Sequence, residues 1–192
     1  MKSTGSRPGG RSARVRQAVF AAALALLDDG QVEPSLPEVA ERAGVASSSL
    51  YRRWGSWENL MAEALLDQSE VNIPVPDTGA LRSDLIEFAE ALATFLAAPR
   101  VVGLVRALAV VERTPELDRA RTQFWDERFR LASVMVERGI ERGELAADTD
   151  ARFLLEMVVA PLHLRQSLLG GDPAAMIHQQ VDLILNGSGR TQ

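Results

Sequence analysis

The sequence predicts an all-α protein, with a small N-terminal helical unit and a larger helical bundle behind it. Three observations carry this. Apolar residues recur at three- and four-residue spacing along most of the chain, and no alternating strand pattern appears. Capping residues, early prolines and terminal glycines divide that pattern into about nine helices. One Pro-rich connection, VNIPVPDTG at 71–79, separates the two parts. With 192 residues there is enough chain to bury a sizeable core.

Residues 1–11 hold Gly, Ser, Pro and Lys/Arg without periodicity and are expected to form a flexible basic arm. The first helix starts at Ser12, carries Val15, Val19, Ala22 or Ala23, Leu26 and Leu27, and ends at Asp28-Asp29-Gly30. Ser35-Leu-Pro-Glu38 is a capping box: the Ser35 hydroxyl accepts from the Glu38 amide and Glu38 reaches back. Proline in the first turn lacks only a donor that would have been unpaired. This second helix turns Leu36, Val39, Ala40 and Ala43 inward and stops at Gly44. A third, about Ser47 to Trp54, has Leu50 and Trp54 on its apolar face, and Gly55-Ser56 breaks it. The fourth, about Ser56 to Ser69, carries Trp57, Leu60, Met61, Ala64 and Leu65. Residues 12–70 thus read as one domain and 71–192 as a second. Five helices fit the second domain: 80–98, 100–113, 114–142, about 148–169, and one capped by Asp172-Pro173 that ends at Gly187. Pro161 inside the fourth of these removes a ladder bond and should kink it.

Composition excludes several function classes. There is no cysteine, hence no disulfide, no thiolate catalysis and no Cys-based metal site. No apolar run approaches the ~18 residues of a membrane span, and the N-terminus does not read as a signal peptide. No membrane partner is expected, and the location is expected to be cytoplasmic. The only histidines, His163 and His178, do not form a ligand set; no carboxylate stands at i±3 or i±4 of His163, which reads as a partly buried or surface residue. No metal and no cofactor are expected. With no Gly-rich phosphate loop, no Ser-His-Asp ordering and no His cluster, neither is an enzyme.

The net charge of −5 hides an asymmetry. Met1 to Trp57 holds eight basic and five acidic residues, a balance of +3 that leaves −8 on the remainder. A basic end on an acidic body suits a protein of which only one end touches phosphate. That end also carries two short helices joined by a tight Gly-containing turn behind a longer helix, a helix-turn-helix. In this motif the second helix enters the major groove of double-stranded DNA. Ser47, Ser48 and Ser49 are small and polar where such a helix meets the groove, while Leu50 and Trp54 hold it to its domain. Tyr51, Arg52 and Arg53 offer hydroxyl and guanidinium groups to phosphate oxygens.

The run Leu36-Pro-Glu-Val-Ala-Glu-Arg-Ala-Gly44-Val, then Ser-Leu-Tyr51-Arg-Arg-Trp54, then Glu58-Asn-Leu60, resembles the DNA-binding region of the TetR family of transcriptional repressors. The C-terminal part resembles one subgroup of that family's regulatory domains, through Arg142-Gly-Glu-Leu145, Asp150, Ala160-Pro-Leu-His-Leu-Arg165 and Gly-Asp-Pro173. The resemblance implies phosphate contact by Tyr51 and by the start of the fourth helix at Trp57. It also implies groove contact by Ala46 to Ser49 and Arg52, and backbone or minor-groove contact by Arg7, Arg11 and Arg14. Ser35 and Arg53 complete the expected DNA-binding set. The chain departs from the family's pattern in having Ala46 in place of a Ser or Thr cap, Trp57 in place of a lysine, and Trp54 in place of phenylalanine. Ala46 and Trp57 motivate an alternative reading, a helical ligand-binding and dimerisation module with weak or lost DNA binding.

One short recognition helix reads too few bases, so a homodimer on a palindromic operator is expected. The last two helices would pair with their copies as a four-helix bundle, through Phe153, Leu154, Val158, Leu162, Arg165, Leu169, Ile177, Val181 and Ile184. By family analogy a small apolar effector, of unknown identity, would sit in the second domain and release the DNA. Its expected lining is Phe88, Leu92, Phe95, Leu104, Leu108, Trp125, Phe129 and Met157.

Overall fold

The computed structural model describes residues 8–31, 34–98, 101–102 and 114–187, with side chains from residue 12 onward. Among the described residues there are eight α-helices and no strand. Helix α1 (Pro8–Asp28) begins at Pro8, ahead of the expected Ser12, so residues 8–11 are helical and not part of a flexible arm. Proline is pre-set for that first position, because its φ is already helical and its missing N–H would have had no partner. Of the expected stripe, Val15 is 39% exposed, while Val19, Ala22, Ala23 and Leu26 are buried, and Phe20 and Leu24 join them in the core.

Helix α2 (Leu36–Ala43) carries the expected capping box: the Glu38 amide donates to Ser35 Oγ at 3.4 Å and the Ser35 amide to Glu38 Oε2 at 2.8 Å. It ends on Gly44 in the left-handed region, φ 68° and ψ 34°, where a side chain would be strained. The Gly44 N–H returns to Glu41 O and the Val45 N–H to Ala40 O, a closed terminus that fixes the turn into the next helix. Helices α3 (Ser47–Arg53) and α4 (Trp57–Asn72) follow, the latter capped by Ser56 Oγ accepting from the Asn59 amide at 3.3 Å. Val19, Phe20, Val39, Leu50, Trp54, Leu60 and Ala64 form the core of this four-helix unit.

The second unit contains α5 (Leu81–Ala97), α6 (Pro115–Glu141), α7 (Ala151–Leu164) and α8 (Ile177–Gly187). Thr114 caps α6 as the sequence indicated, whereas α7 starts later than the expected 148 and is capped by Asp150. A π-helical turn (Arg165–Leu169) and a 3₁₀ turn (Pro173–Met176) lie between α7 and α8. Of the helix expected at 100–113, only residues 101–102 are described, and they are helical. Leu81, Leu85, Leu92, Met135, Val136, Leu155, Leu162 and Ile177 fill the second core.

The Pro-rich connection is tied down at several points. Arg138 donates to Pro76 O at 2.6 Å and pairs with Asp77 at 2.6 Å. The fully buried Asp84 accepts from the Thr78 amide and hydroxyl, both at 2.7 Å, while Arg142 lies 3.5 Å from its other oxygen. In α7, Pro161 has no N–H for Met157 O. The freed carbonyl finds Gln180 of α8, whose Nε2 donates to Met157 O at 2.7 Å and to Val158 O at 2.8 Å.

Helices α5 and α6 approach closely at Gly139, where an added Cβ would lie 2.8 Å from Leu81 Cδ2 and 3.2 Å from Leu81 Cβ. Gly139→Ala would gain about 1 kcal/mol of helix propensity but overpack a fully buried leucine, at about 1–3 kcal/mol. Urea unfolding is expected to show a net loss of about 1 kcal/mol. In a Leu81→Ala background the same substitution is expected to become neutral or stabilising.

Candidate nucleic-acid interface and interhelical cavity

Helix α3 presents Ala46, Ser48, Tyr51 and Arg52 outward, with Tyr51 53% exposed, and seats Leu50 in the core. Ser47 and Ser49 are half-buried at its start. Ala46 is the N-cap residue and makes no side-chain cap bond; the Ser49 amide donates to the Ala46 carbonyl at 2.9 Å instead. Behind this face Trp54 fixes the helix. Its indole N–H donates to Glu63 Oε2 at 2.7 Å, its ring lies 6.1 Å from that of Phe20, and its carbonyl accepts from Asn59 Nδ2 at 2.9 Å.

The two arginines of α3 have different surroundings. Arg53 pairs with Glu63 at 3.3 Å and lies 5.0 Å from the Trp54 ring centroid. Arg16 also reaches Glu63, at 3.8 Å, and Asp67, at 3.1 Å. Arg53 therefore braces α3 against α4. Arg52 is exposed and has no intramolecular partner among the described residues. The Ser35 hydroxyl is spent on the capping box, donating to Glu38 Oε2 at 2.5 Å. Trp57 is half-buried against the first core, which makes it a packing residue. Arg14 is exposed on α1; of Arg11 only the backbone is described, and Arg7 lies outside the described residues.

A cavity of about 50 Å³ lies among α4, α5, α6 and α7. Phe88, Leu92, Phe95, Trp125 and Phe129, all expected from the sequence, line it. Met157 does not: it is 45% exposed on the opposite face of α7. Leu104 and Leu108 lie outside the described residues. Sequence reasoning missed Ser69 and Ile73 of α4, Phe124, Arg128 and His163. Arg128 was detectable, because it falls on the inward stripe of α6 between Trp125 and Ala132. Burial pulls its pKa down, against the opposing pull of the Glu70 charge. His163 meets Trp125 edge-on with ring centroids 5.2 Å apart, and its buried Nε2 has no partner among the described residues. A second, open cleft of about 380 Å³ lies between the two units, bordered by Trp54, Glu63, Glu116 and Phe124.

The expected dimer residues divide sharply. Leu154, Val158, Leu162, Ile177 and Val181 are buried in the subunit's own core and have no area left for a partner. Ile184 packs on the same core, and Arg165 turns to Met176 Sδ at 3.2 Å. Phe153 (61%) and Leu169 are exposed, beside Met157, Leu164, Leu168 (77%) and Leu183. Helices α7 and α8 are apolar on two faces. A subunit fills its own core first, and the sequence alone does not tell the faces apart.

Residues 19–64 match the model of "bacterial regulatory proteins, tetR family", and residues 75–184 match that of the "tetracyclin repressor-like, C-terminal domain". The chain is 38% identical to the HTH-type transcriptional regulator AqdR of Rhodococcus erythropolis over 96% of this chain and 90% of that one. It is 31% identical to the DNA-binding transcriptional repressor TetR of Mycobacteroides abscessus over 88% and 90%. Among solved structures it resembles the TetR family transcription regulator SCO0332, with a TM-score of 0.75 and 24% identity over 90% of this chain and 97% of that one. It also resembles Bacillus subtilis FadR in complex with stearoyl-CoA, with a TM-score of 0.62 and 16% identity over 89% and 98%. Among the described residues no helix is long and apolar enough to cross a membrane.

Burial lowers the His163 pKa from 6.5 to about 4. The unfolded chain therefore binds a proton between these values that the folded chain refuses, and stability falls as pH drops from about 6.5 toward 4. Unfolding by urea at pH 7 and pH 4.5 is expected to differ by about 2 kcal/mol more in the wild type than in His163→Phe.

Proposed function

Since the chain belongs to the tetR family and is a DNA-binding transcriptional regulator, we propose that it is a cytoplasmic homodimeric repressor, released from a palindromic operator by a small apolar effector. The observation that carries this reading is the double duty of α4. Near its start α4 holds the recognition helix, through Glu63 on Trp54 Nε1 and Asn59 on the Trp54 carbonyl. Ser69 and Ile73, at its other end, form a wall of the interhelical cavity. A molecule pressing on that wall would displace the rod that sets the angle of α3. Two copies of α3 fit half-sites one helical turn apart only at one angle, so a small tilt lowers affinity for the whole operator.

The DNA face would consist of Ala46, Ser47, Ser48, Ser49, Tyr51 and Arg52, with Arg14 on α1 in reach of the backbone. Arg53 acts through Glu63 and Trp54, and Trp57 through packing. The departure at Trp57 therefore removes a cation without disturbing the face. The dimer would form through Phe153, Met157, Leu164, Leu168, Leu169 and Leu183. These are six of the ten large apolar side chains found exposed among the described residues, all within residues 153–183. Such concentration marks an interaction surface.

DNA selected from a random pool by the wild type is expected to contain an inverted repeat. On that duplex, Tyr51→Phe is expected to weaken binding about fivefold and Arg52→Ala about tenfold, the latter with a salt slope lower by about one. Sedimentation should still show a dimer for both. Absence of salt-sensitive affinity for any duplex would overturn the repressor reading. A Leu168→Asp variant is expected to sediment as a monomer, with far-UV circular dichroism unchanged, and to lose operator binding.

A further inference from the structure

We propose that the interhelical cavity binds a flat apolar molecule carrying one acidic oxygen group, with Arg128 as its counter-ion and His163 Nε2 as a second hydrogen-bonding point. The proposal rests on the reading of this cavity as the effector site. Arg128 is only 6% exposed, yet among the described residues its one hydrogen bond runs to Ile73 O at 3.5 Å, the outer limit of such a bond. Glu70, whose charge acts on it, stands at the exposed surface of α4. A guanidinium in an apolar cavity is costly unless it is paired and hydrogen-bonded. An anionic ligand supplies both and suits its fork of donors.

The rest of the wall sets the ligand's shape. Five of the chain's ten aromatic side chains line this cavity: Phe88, Phe95, Phe124, Trp125 and Phe129. Trp125 and Phe129 stack with centroids 5.6 Å apart and 26° between planes, a flat apolar surface. His163 closes the edge with an unpartnered ring nitrogen. A neutral imidazole offers one donor or one acceptor there, enough for a hydroxyl, carbonyl or carboxylate oxygen. At about 50 Å³ the cavity is far smaller than an ordinary ligand site of about 300 Å³ or more, so a bound ring must push α4 and α6 apart. Ile73 C-caps α4. An anion that draws Arg128 off the Ile73 carbonyl removes one tie between α6 and that end of α4 at the same time.

The test uses two dyes with nearly the same ring system, anilinonaphthalene sulfonate and the uncharged phenylnaphthylamine, titrated by fluorescence against the full-length wild-type protein. The sulfonate is expected to bind at least about tenfold more tightly than the neutral dye. Arg128→Met should erase that preference, and Arg128→Lys, which keeps the charge, should retain part of it. Ala132→Leu, which fills the cavity, should weaken both dyes. Equal binding of the two dyes to the wild type, or a preference untouched by Arg128→Met, would overturn the counter-ion role and leave the cavity reading standing. Should neither dye bind, or should Ala132→Leu affect neither, the cavity reading itself fails. If Arg128→Met does not fold, the wild-type preference and the Lys variant still decide the matter.

Discussion

Helix α4 has to satisfy two cores at once, and most of the molecule follows from that constraint. Its Leu60, Met61 and Ala64 lie in the first core, and Ser69 and its C-cap Ile73 are buried at its far end. An ordinary amphipathic helix needs one apolar stripe; this one changes partners along its length. The hydrogen bond from Trp54 Nε1 to Glu63 and the bond from Asn59 to the Trp54 carbonyl attach α3 to this rod, so the recognition helix inherits its orientation from α4. Glu63 in turn collects Arg16 and Arg53, which ties α1, α3 and α4 at one carboxylate.

That arrangement explains what could be read in the sequence. Signals that act within a few residues were legible: the Ser35–Glu38 capping box and Gly44 in its left-handed turn, with the helix-turn-helix they frame, and Thr114 as the cap of α6. The inward Leu50 and Trp54 of α3 were legible too, since helical spacing alone fixes them. Five aromatic and aliphatic cavity residues were found because they lie on regular inward stripes.

What stayed hidden depends on elements distant in sequence. Arg53 reads as a free cation until Glu63, on the next helix, is placed beside it. Pro161 announces a missing bond but not that Gln180 will fill it. On α7 the sequence offers two apolar faces, and only the positions of α5, α6 and α8 decide which is core and which is exposed. Arg128 is the most instructive case. A charge on an inward stripe is visible in the sequence, but its near-isolation becomes evident only when α4 closes over it.

The contact of Gln180 with the Met157 and Val158 carbonyls has a consequence for assembly. It crosses from α8 to α7 where Pro161 would otherwise leave the helix loose, so the exposed leucines on both helices are carried by a braced frame. A surface held in one shape before encounter loses little conformational freedom on association, and more of its buried apolar area appears as affinity. In this light the proline acts as an indirect rigidifier: by breaking one helix's own ladder it obliges a neighbour to lock against it.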